Sequence, residues 1–362
     1  MHASALLQRI ASFRSLEAAL FRAARGKRHR PSVGRALLEA GPLCLRLERE
    51  LLAGTWAPGE PQLHEIFDPK RRTIAAAPFA DRIVHQALCA EVGPLLERGL
   101  IAHSFACRTG LGTHAAVRLA RLWAAEYRYV LHLDVAKFFP SLDHAVLEAQ
   151  LARDLRENSD VLALCMRIVE GGRAFAGGTR FHFPGDDLFA PLARRTGLPI
   201  GNLTSQHFAN RYLSPVDHLA KDRLRVHGYL RYMDDMLLFG REREELREVG
   251  RRLEDRCHAL RLRLHPWQVR PVREGFGWLG FRIFPAGLVR VKRSSVARAE
   301  RRLAKLREGL AEGTVSVDEL LMSVRSTFAH WEHADTHRLR TRTLEKLGML
   351  AGRVRGQGDD DP

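Results

Sequence analysis

The sequence predicts an α+β fold in which a helical N-terminal extension precedes a small antiparallel sheet and a helical region follows it. Three observations carry that expectation. Tyr229-Leu230-Arg231 and Met236-Leu237-Leu238-Phe239 are runs of strand length around Tyr232-Met233-Asp234-Asp235, the pattern of a tight hairpin. Tyr129-Val130-Leu131-His132-Leu133-Asp134 is a second strand-like run, and it also ends in an acid. Most of the remaining chain repeats its apolar residues at the period of a helix.

Residues 1–60 read as helices, beginning with an amphipathic one from Ser4 to Ala24. Arg22–Pro31 is a basic turn between two of them, either a solvated loop or a phosphate contact. Thr55-Trp56-Ala57-Pro58-Gly59-Glu60-Pro61 breaks helix, Leu63–Phe67 is a short strand, and Pro69–Ile74 leads into a second. Residues 79–99 return to helical period, with Ile83, Val84, Ala87, Leu88, Val92, Leu95 and Leu96 on one side. Ser104–Thr113 is a polar loop with glycines, and Ala115–Tyr127 is a helix. After the strand 129–134 comes a helix from Asp143 to about Leu155. Between 156 and 195, a helix near 160–171 precedes glycine-rich, aromatic, hairpin-like sequence. A helix over 203–224, the hairpin over about 227–240 and a helix over 242–259 follow. Strands are expected near 261–264, 276–283 and 287–291. The rest is helical and basic as far as Gly356–Pro362, an acidic tail expected to be disordered. No internal repeat is visible.

The 362 residues exceed a typical single domain, and a hydrophobic content of 45% is enough for a proper core. The net charge of +16 favours polyphosphate partners held with salt-sensitive affinity. A soluble basic protein without nucleic acid is the alternative; a membrane surface fits less well, because the cations are spread along the whole chain. Cys44, Cys89, Cys107, Cys165 and Cys257 are odd in number and widely spaced, with no CxxC. That argues for reduced thiols in a cytoplasmic setting and against a zinc site. No run of about 18 apolar residues predicts a membrane span. Arg9, Arg14, Arg22 and Arg25 interrupt any secretory pattern at the N-terminus.

The acids carry the chemistry. Adjacent carboxylates at a hairpin tip repel one another, and a bound cation relieves the repulsion. Magnesium prefers carboxylate oxygens and keeps its remaining positions for water and substrate phosphates. Two strands from distant segments can bring Asp134 beside Asp234, and such a pair can hold two magnesium ions for phosphoryl chemistry. The competing reading of Asp134 is a helix cap after a strand.

Four motifs in order make the chain resemble the reverse transcriptase family: Leu133-Asp134…Phe138-Phe139, Gly197–Gln206, Tyr232-Met233-Asp234-Asp235 and Trp278-Leu279-Gly280-Phe281. The likeness runs from about residue 60 to 290. Within the family the chain looks most like the reverse transcriptases of diversity-generating retroelements. Ile200 stands where most relatives carry Gln, and Ser205-Gln206 where most carry Ser-Pro. Arg72–Leu88, Gly110–His114 and Phe281–Pro285 match that subgroup's style.

The resemblance implies a right-hand polymerase. Residues 1–60 would be the N-terminal extension, 61–127 the fingers, 128–290 the palm with a fingers insertion at about 156–195, and 291–355 the thumb. It implies an RNA-directed DNA polymerase with two Mg2+ ions. By that resemblance Asp134, Asp234 and Asp235 would be the catalytic and metal residues, and the Val135 carbonyl would complete the shell. Lys70 and Arg72, with Arg71 between them, would grip triphosphate, since Arg matches phosphate oxygens bidentately. A solvated charge run is the alternative. Phe139 would lie beneath the incoming sugar and exclude a ribose 2′-OH; one of Phe138 and Phe139 is core. Ile200, Gly201 and Gln206 would lie beside the nucleotide. Ile200 lacks the hydrogen bonds of Gln, which points to low fidelity, unless it is simply core.

Arg108, Gly110, Gly197, Trp278, Leu279 and Gly280 would contact template or primer. Gly112 and Thr113 close the same loop as Arg108, which can equally be a tight turn. The Trp278–Phe281 segment can be a primer grip, a core turn or both. The stretch Leu262–Pro271 has no Lys where the family often carries a general acid, leaving His265 or Arg270 as substitutes, or a step that goes without one. Lys292, Arg293, Arg298, Arg301, Arg302, Lys305 and Arg307 form a phosphate-tracking thumb face or a solvated one. His330, Trp331 and His333 read as packing residues. The implied partners are an RNA template, a DNA or RNA primer, dNTPs and a small basic helical-bundle accessory protein. Retron, phage-defence or intron-type enzymes, and a non-catalytic RNA-binding protein on the same scaffold, are the rival readings.

Overall fold

The computed structural model describes residues 3–67, 72–173 and 181–349. The expected acidic tail at 356–362 lies outside them, as do Lys70 and Arg71.

Four helices open the chain: α1 (Ala5–Ala11), α2 (Phe13–Ala24), α3 (Pro31–Leu38) and α4 (Ala40–Leu52). The single helix expected over Ser4–Ala24 is broken at Ser12. Its backbone turns extended (φ −57°, ψ 141°), and its side chain accepts from the Ser15 amide, capping α2. A hydroxyl satisfying an orphan helix amide outweighs the continuous apolar stripe. Leu6, Ile10, Leu16 and Leu20 bury that stripe.

Strands β1 (Gln62–Ile66) and β2 (Arg72–Ala76) pair antiparallel, from Gln62 opposite Ala76 to Ile66 opposite Arg72. Helices α5 (Phe79–Glu97) and α6 (Thr113–Glu126) lead to β3 (Tyr129–Asp134). A one-turn helix, α7 (Phe138–Ser141), follows, then α8 (His144–Leu155) and α9 (Ser159–Arg173). Asp143 caps α8 by accepting from the amides of Ala145 (2.9 Å) and Val146 (3.2 Å).

The described part of the segment expected to be hairpin-like, residues 181–195, holds no strand, only the short helix α10 (Ala190–Ala193). Its aromatics stack on cations instead of on a partner strand. The Arg194 guanidinium lies 5.2 Å from the Phe183 ring, and that of Arg263 lies 5.0 Å from Phe181.

Helix α11 (Leu203–His218) carries Pro215 and ends in a π turn over Leu219–Arg223. The hairpin follows as β4 (Gly228–Tyr232) and β5 (Asp235–Gly240), then α12 (Arg243–Ala259). Where a strand is expected at 261–264 there is only an isolated bridge between Val135 and Leu264; the strand β6 forms later, at Val269–Pro271. The expected strand 276–283 is two, β7 (Phe276–Trp278) and β8 (Phe281–Ile283), because Leu279 and Gly280 turn at φ 44° and 86°. Strand β9 (Val289–Val291) and helices α13 (Arg293–Ala311), α14 (Val317–Trp331) and α15 (His337–Lys346) complete the described chain. No described helix is long and apolar enough to cross a membrane.

The chain divides into two compact units. One comprises Met1–Gly112, Leu131–Leu238 and Arg243–Gln268; the other comprises Thr113–Val130, Phe239–Glu242 and Val269–Pro362. In the first, β5 lies between β4 and β3, which puts the hairpin directly beside β3. Gly250 lets α12 lie close against that sheet: a Cβ there would stand 2.8 Å from both the Leu131 side chain and the Trp267 ring.

The second unit packs α6 on the three-stranded sheet β7-β8-β9 and closes a small core around Leu303, Leu320 and Val324. Arg302 donates to the Thr327 hydroxyl (2.7 Å) and Arg307 to the Lys346 carbonyl (2.8 Å), so these two cations brace the helices. Trp331 is buried and stacks on Phe328. His333 stacks on His114 with ring centroids 3.4 Å apart, and His330 rests on Phe281 at 4.9 Å.

Candidate active site

The site is built on the two-residue turn between β4 and β5. Tight hairpins need positive φ at a central position, and Met233 supplies it at +57°. A left-handed conformation of a residue with a Cβ costs about 1–2 kcal/mol, so something must hold it. Arg231 does: its Nη1 donates to the Met233 carbonyl at 2.9 Å. The turn thereby presents Asp234, and Asp235 begins β5.

The end of β3 meets this turn. His132 Nε2 is in hydrogen-bonding contact with Asp235 Oδ1. Side chains alternate along a strand, so Asp134, two residues further, leaves β3 on the same face as His132. Asp134, Asp234 and Asp235 are all partly exposed. Beyond Asp134 the chain pairs with residues 263–265: the His265 amide donates to the Asp134 carbonyl (2.8 Å), and the Ala136 amide to the Arg263 carbonyl (2.8 Å). Val135 itself, buried just past the end of β3, bridges Leu264.

Among the described residues no group of three or more His, Cys, Asp or Glu side chains is gathered tightly enough to hold a metal ion. That is compatible with magnesium, which binds through one or two carboxylates and fills its octahedron with water and substrate phosphates. Carboxylate and carbonyl oxygens are also the donor class it selects. The residues present therefore fit the ion by their chemistry.

A second set of backbone bonds joins three of the other singled-out segments. The Leu198 amide donates to the Phe139 carbonyl and the Gly197 amide to that of Leu142, both at 2.9 Å. The Ala75 amide of β2 donates to the Ile200 carbonyl at 3.2 Å. So the strand that begins at Arg72, the Gly197–Gly201 loop and Phe139 share one neighbourhood. Gly201 has φ +114°, and a Cβ there would stand 2.8 Å from Ile74 Cγ2, so only glycine fits. Phe138 is the buried ring of its pair at 3% exposure, and Phe139 is partly exposed. Gln206 lies in the first turn of α11, partly exposed. Arg72 contributes its backbone to β2; Lys70, with Arg71, lies outside the described residues.

The residues assigned to template and primer are more dispersed. Arg108 braces its own loop, donating to the carbonyls of Ile101 (2.8 Å) and Ser104 (3.0 Å). Gly110 is exposed at φ +77°, whereas Gly197 is buried at φ +107°. Trp278 is buried, at 1% exposure. Leu279 and Gly280 form a turn of the sheet in the second unit.

Sequence reasoning missed the group beneath the acids. Arg231 and Asp217 are fully buried and form a two-pronged ion pair, with Nε to Oδ1 at 2.8 Å and Nη2 to Oδ2 at 2.6 Å. A cation inside an otherwise apolar strand was the available signal, since a buried charge requires a partner.

It also missed Asp81 and His85 on α5. They line a cavity of about 20 Å³ with Gly59, Ala75, Pro199 and Asn202, behind the Ile200 loop. Burial, with the charge of Arg82 adding to it, pushes the His85 imidazole down to about 4. Burial pushes the Asp81 carboxyl up, although the Gly59 amide bonds it. A histidine depressed in the folded state adds stability above its ordinary pKa, which is lost as pH falls from 6.5 toward 4; Asp81 acts in the opposite sense. His85→Gln removes the first effect alone. The wild type is expected to lose up to about 3 kcal/mol more than this variant between pH 7 and pH 4. Urea unfolding at both pH values measures it, and parallel pH profiles would refute the assignment.

A family model described as reverse transcriptase (RNA-dependent DNA polymerase) matches residues 67–283, more than half of the chain. No curated protein matches significantly. Among solved structures, apo telomerase from Candida Tropicalis is similar at 11% identity and a TM-score of 0.46, over 80% of this chain and 62% of that one. The chain thus spans less than two thirds of that telomerase.

Proposed function

The chain belongs to the reverse transcriptase family, and from that premise we propose that it copies RNA into DNA, with low fidelity, as part of a diversity-generating retroelement. The observation that carries the polymerase reading is the meeting of the β3 end with the Met233–Asp235 turn. Asp134, Asp234, Asp235 and the Val135 carbonyl would hold two magnesium ions, which when bound offset triphosphate charge and favour ionisation of the primer hydroxyl. The acids' part is to fix where that charge is balanced. Lys70 and Arg72 bind the triphosphate. Phe139 sits under the sugar and disfavours a 2′-OH. The Gly197–Gly201 loop and the N-terminus of α11 offer backbone amides to the nucleotide.

Residues 61–127 would then act as fingers, 128–290 as palm and 291–355 as thumb. The accessory protein of this reading is a small basic helical bundle. Two cationic proteins repel, so an acidic patch or a shared RNA must join them.

The subgroup reading rests on Ile200 and Ser205-Gln206. An apolar β-branched side chain at 200 cannot hydrogen-bond nucleotide or template, and each 1.4 kcal/mol of lost discrimination is about tenfold in selectivity. Primer extension on an RNA template with dNTPs should give cDNA with errors concentrated at template adenines, the pattern that the resemblance to that subgroup implies. Ile200→Gln should lower that error rate by up to about tenfold. An unchanged error spectrum, read by sequencing the cDNA, would count against the subgroup and leave the polymerase standing.

A further inference from the structure

Resting on the polymerase reading above, we infer that Arg231 is a positioning residue for Asp234: by fixing the Met233 carbonyl it aims the turn at which the ion binds. The guanidinium touches neither ion nor substrate.

The geometry exceeds what an ion pair needs. Nε and Nη2 of Arg231 reach the two Asp217 oxygens; Nη2 also reaches the Asn210 carbonyl (3.2 Å), and Nη1 reaches Asn210 Oδ1 (3.1 Å) and the Met233 carbonyl (2.9 Å). Every guanidinium proton is thus in use. Tyr229 donates to Asp217 Oδ1 (2.7 Å), and Asn210 donates to the Ala106 carbonyl (2.7 Å). The Arg231 backbone pairs with the same segment, its amide to the His103 carbonyl and its carbonyl to the Phe105 amide, both at 2.9 Å. Residues 103–106, α11 and β4 therefore converge on one side chain, and that side chain ends on the one strained residue of the turn. Burial disfavours the charge of the guanidinium, and Asp217 above all, then Tyr229 and Asp234, outweighs that and keeps it protonated.

Lysine keeps the charge and loses the fork, so it cannot serve Asp217, Asn210 and Met233 together. The test uses the full chain with Arg231→Lys. Its readouts are Mn2+ binding by paramagnetic resonance without nucleic acid, Mg2+ dependence of primer extension, thermal unfolding and RNA affinity. Mn2+ affinity should weaken about tenfold, with kcat reduced and the dNTP KM unchanged. Adding Met233→Gly should restore part of the loss, because glycine adopts positive φ without strain.

A merely structural role would lower the unfolding temperature and RNA affinity and leave ion affinity in the folded protein unchanged. Wild-type Mn2+ affinity in Arg231→Lys, or no recovery with Met233→Gly, overturns the inference. If Arg231→Lys does not fold, Asn210→Ala keeps the ion pair and removes one anchor, and unchanged ion affinity there overturns it equally. A wild type without synthesis, with Mn2+ binding indifferent to Asp234→Asn, overturns the polymerase reading and this inference with it. An active wild type beside an unaltered Arg231→Lys overturns the inference alone.

Discussion

Asp234→Asn should abolish primer extension, with a loss of about a thousandfold or more, while RNA binding and folding persist. The substitution is nearly isosteric and leaves the turn's backbone in place. The Arg231 bond to the Met233 carbonyl does not involve the Asp234 side chain. What changes is the charge: a neutral amide balances neither a divalent ion nor the negative charge that grows on the transferring phosphoryl group. Single-turnover extension at saturating RNA isolates that step. Near-normal synthesis by this variant would remove Asp234 from the mechanism.

Asp217→Asn addresses stability instead. The Asp217 side chain is 0% exposed, and both of its oxygens are taken by Arg231 and Tyr229. Removing its charge leaves a guanidinium unpaired in the interior, which typically destabilises by about 3–5 kcal/mol. The urea midpoint should fall with the slope unchanged, since the surface exposed on unfolding is the same. Replacing both partners with apolar residues of similar volume should recover much of that stability, because no charge remains to be solvated. Stability and activity would then separate: the double variant folds, yet the Met233 carbonyl has lost its donor. A single Asp217→Asn protein as stable as the wild type would show that the pair contributes little to the fold.

The parts legible in the sequence are those that depend on near neighbours. The β4–β5 hairpin follows from two short apolar runs around a turn, and β3 from one such run. Amphipathic periodicity located α5, α8 and α12 within a few residues. Paired acids at a strand end drew attention through their mutual repulsion, which is also local. The failures trace to distant partners. Ser12 interrupts a helix through one hydroxyl. Residues 181–195 are rich in aromatics that suggest strands, yet arginines, one of them from residue 263, take their faces. Leu264 meets Val135 for a single bridge, too short for a strand. The motif at Trp278 left a primer grip, a core turn or both open, and which of these buries the indole depends on residues elsewhere in the chain. Arg231 was hidden most completely: its meaning resides in Asp217 and Asn210, on another element.

The loop at Ile200 is fastened to β2 by its main chain, through the Ala75 amide and the Ile200 carbonyl. Every amino acid possesses that carbonyl. On the proposed function, the side chain there can be exchanged by mutation while the anchor stays. Copying accuracy then becomes a heritable dial, turned one codon at a time by drift or selection with little risk to folding. The next codon has no such latitude, since any side chain on Gly201 would strike Ile74.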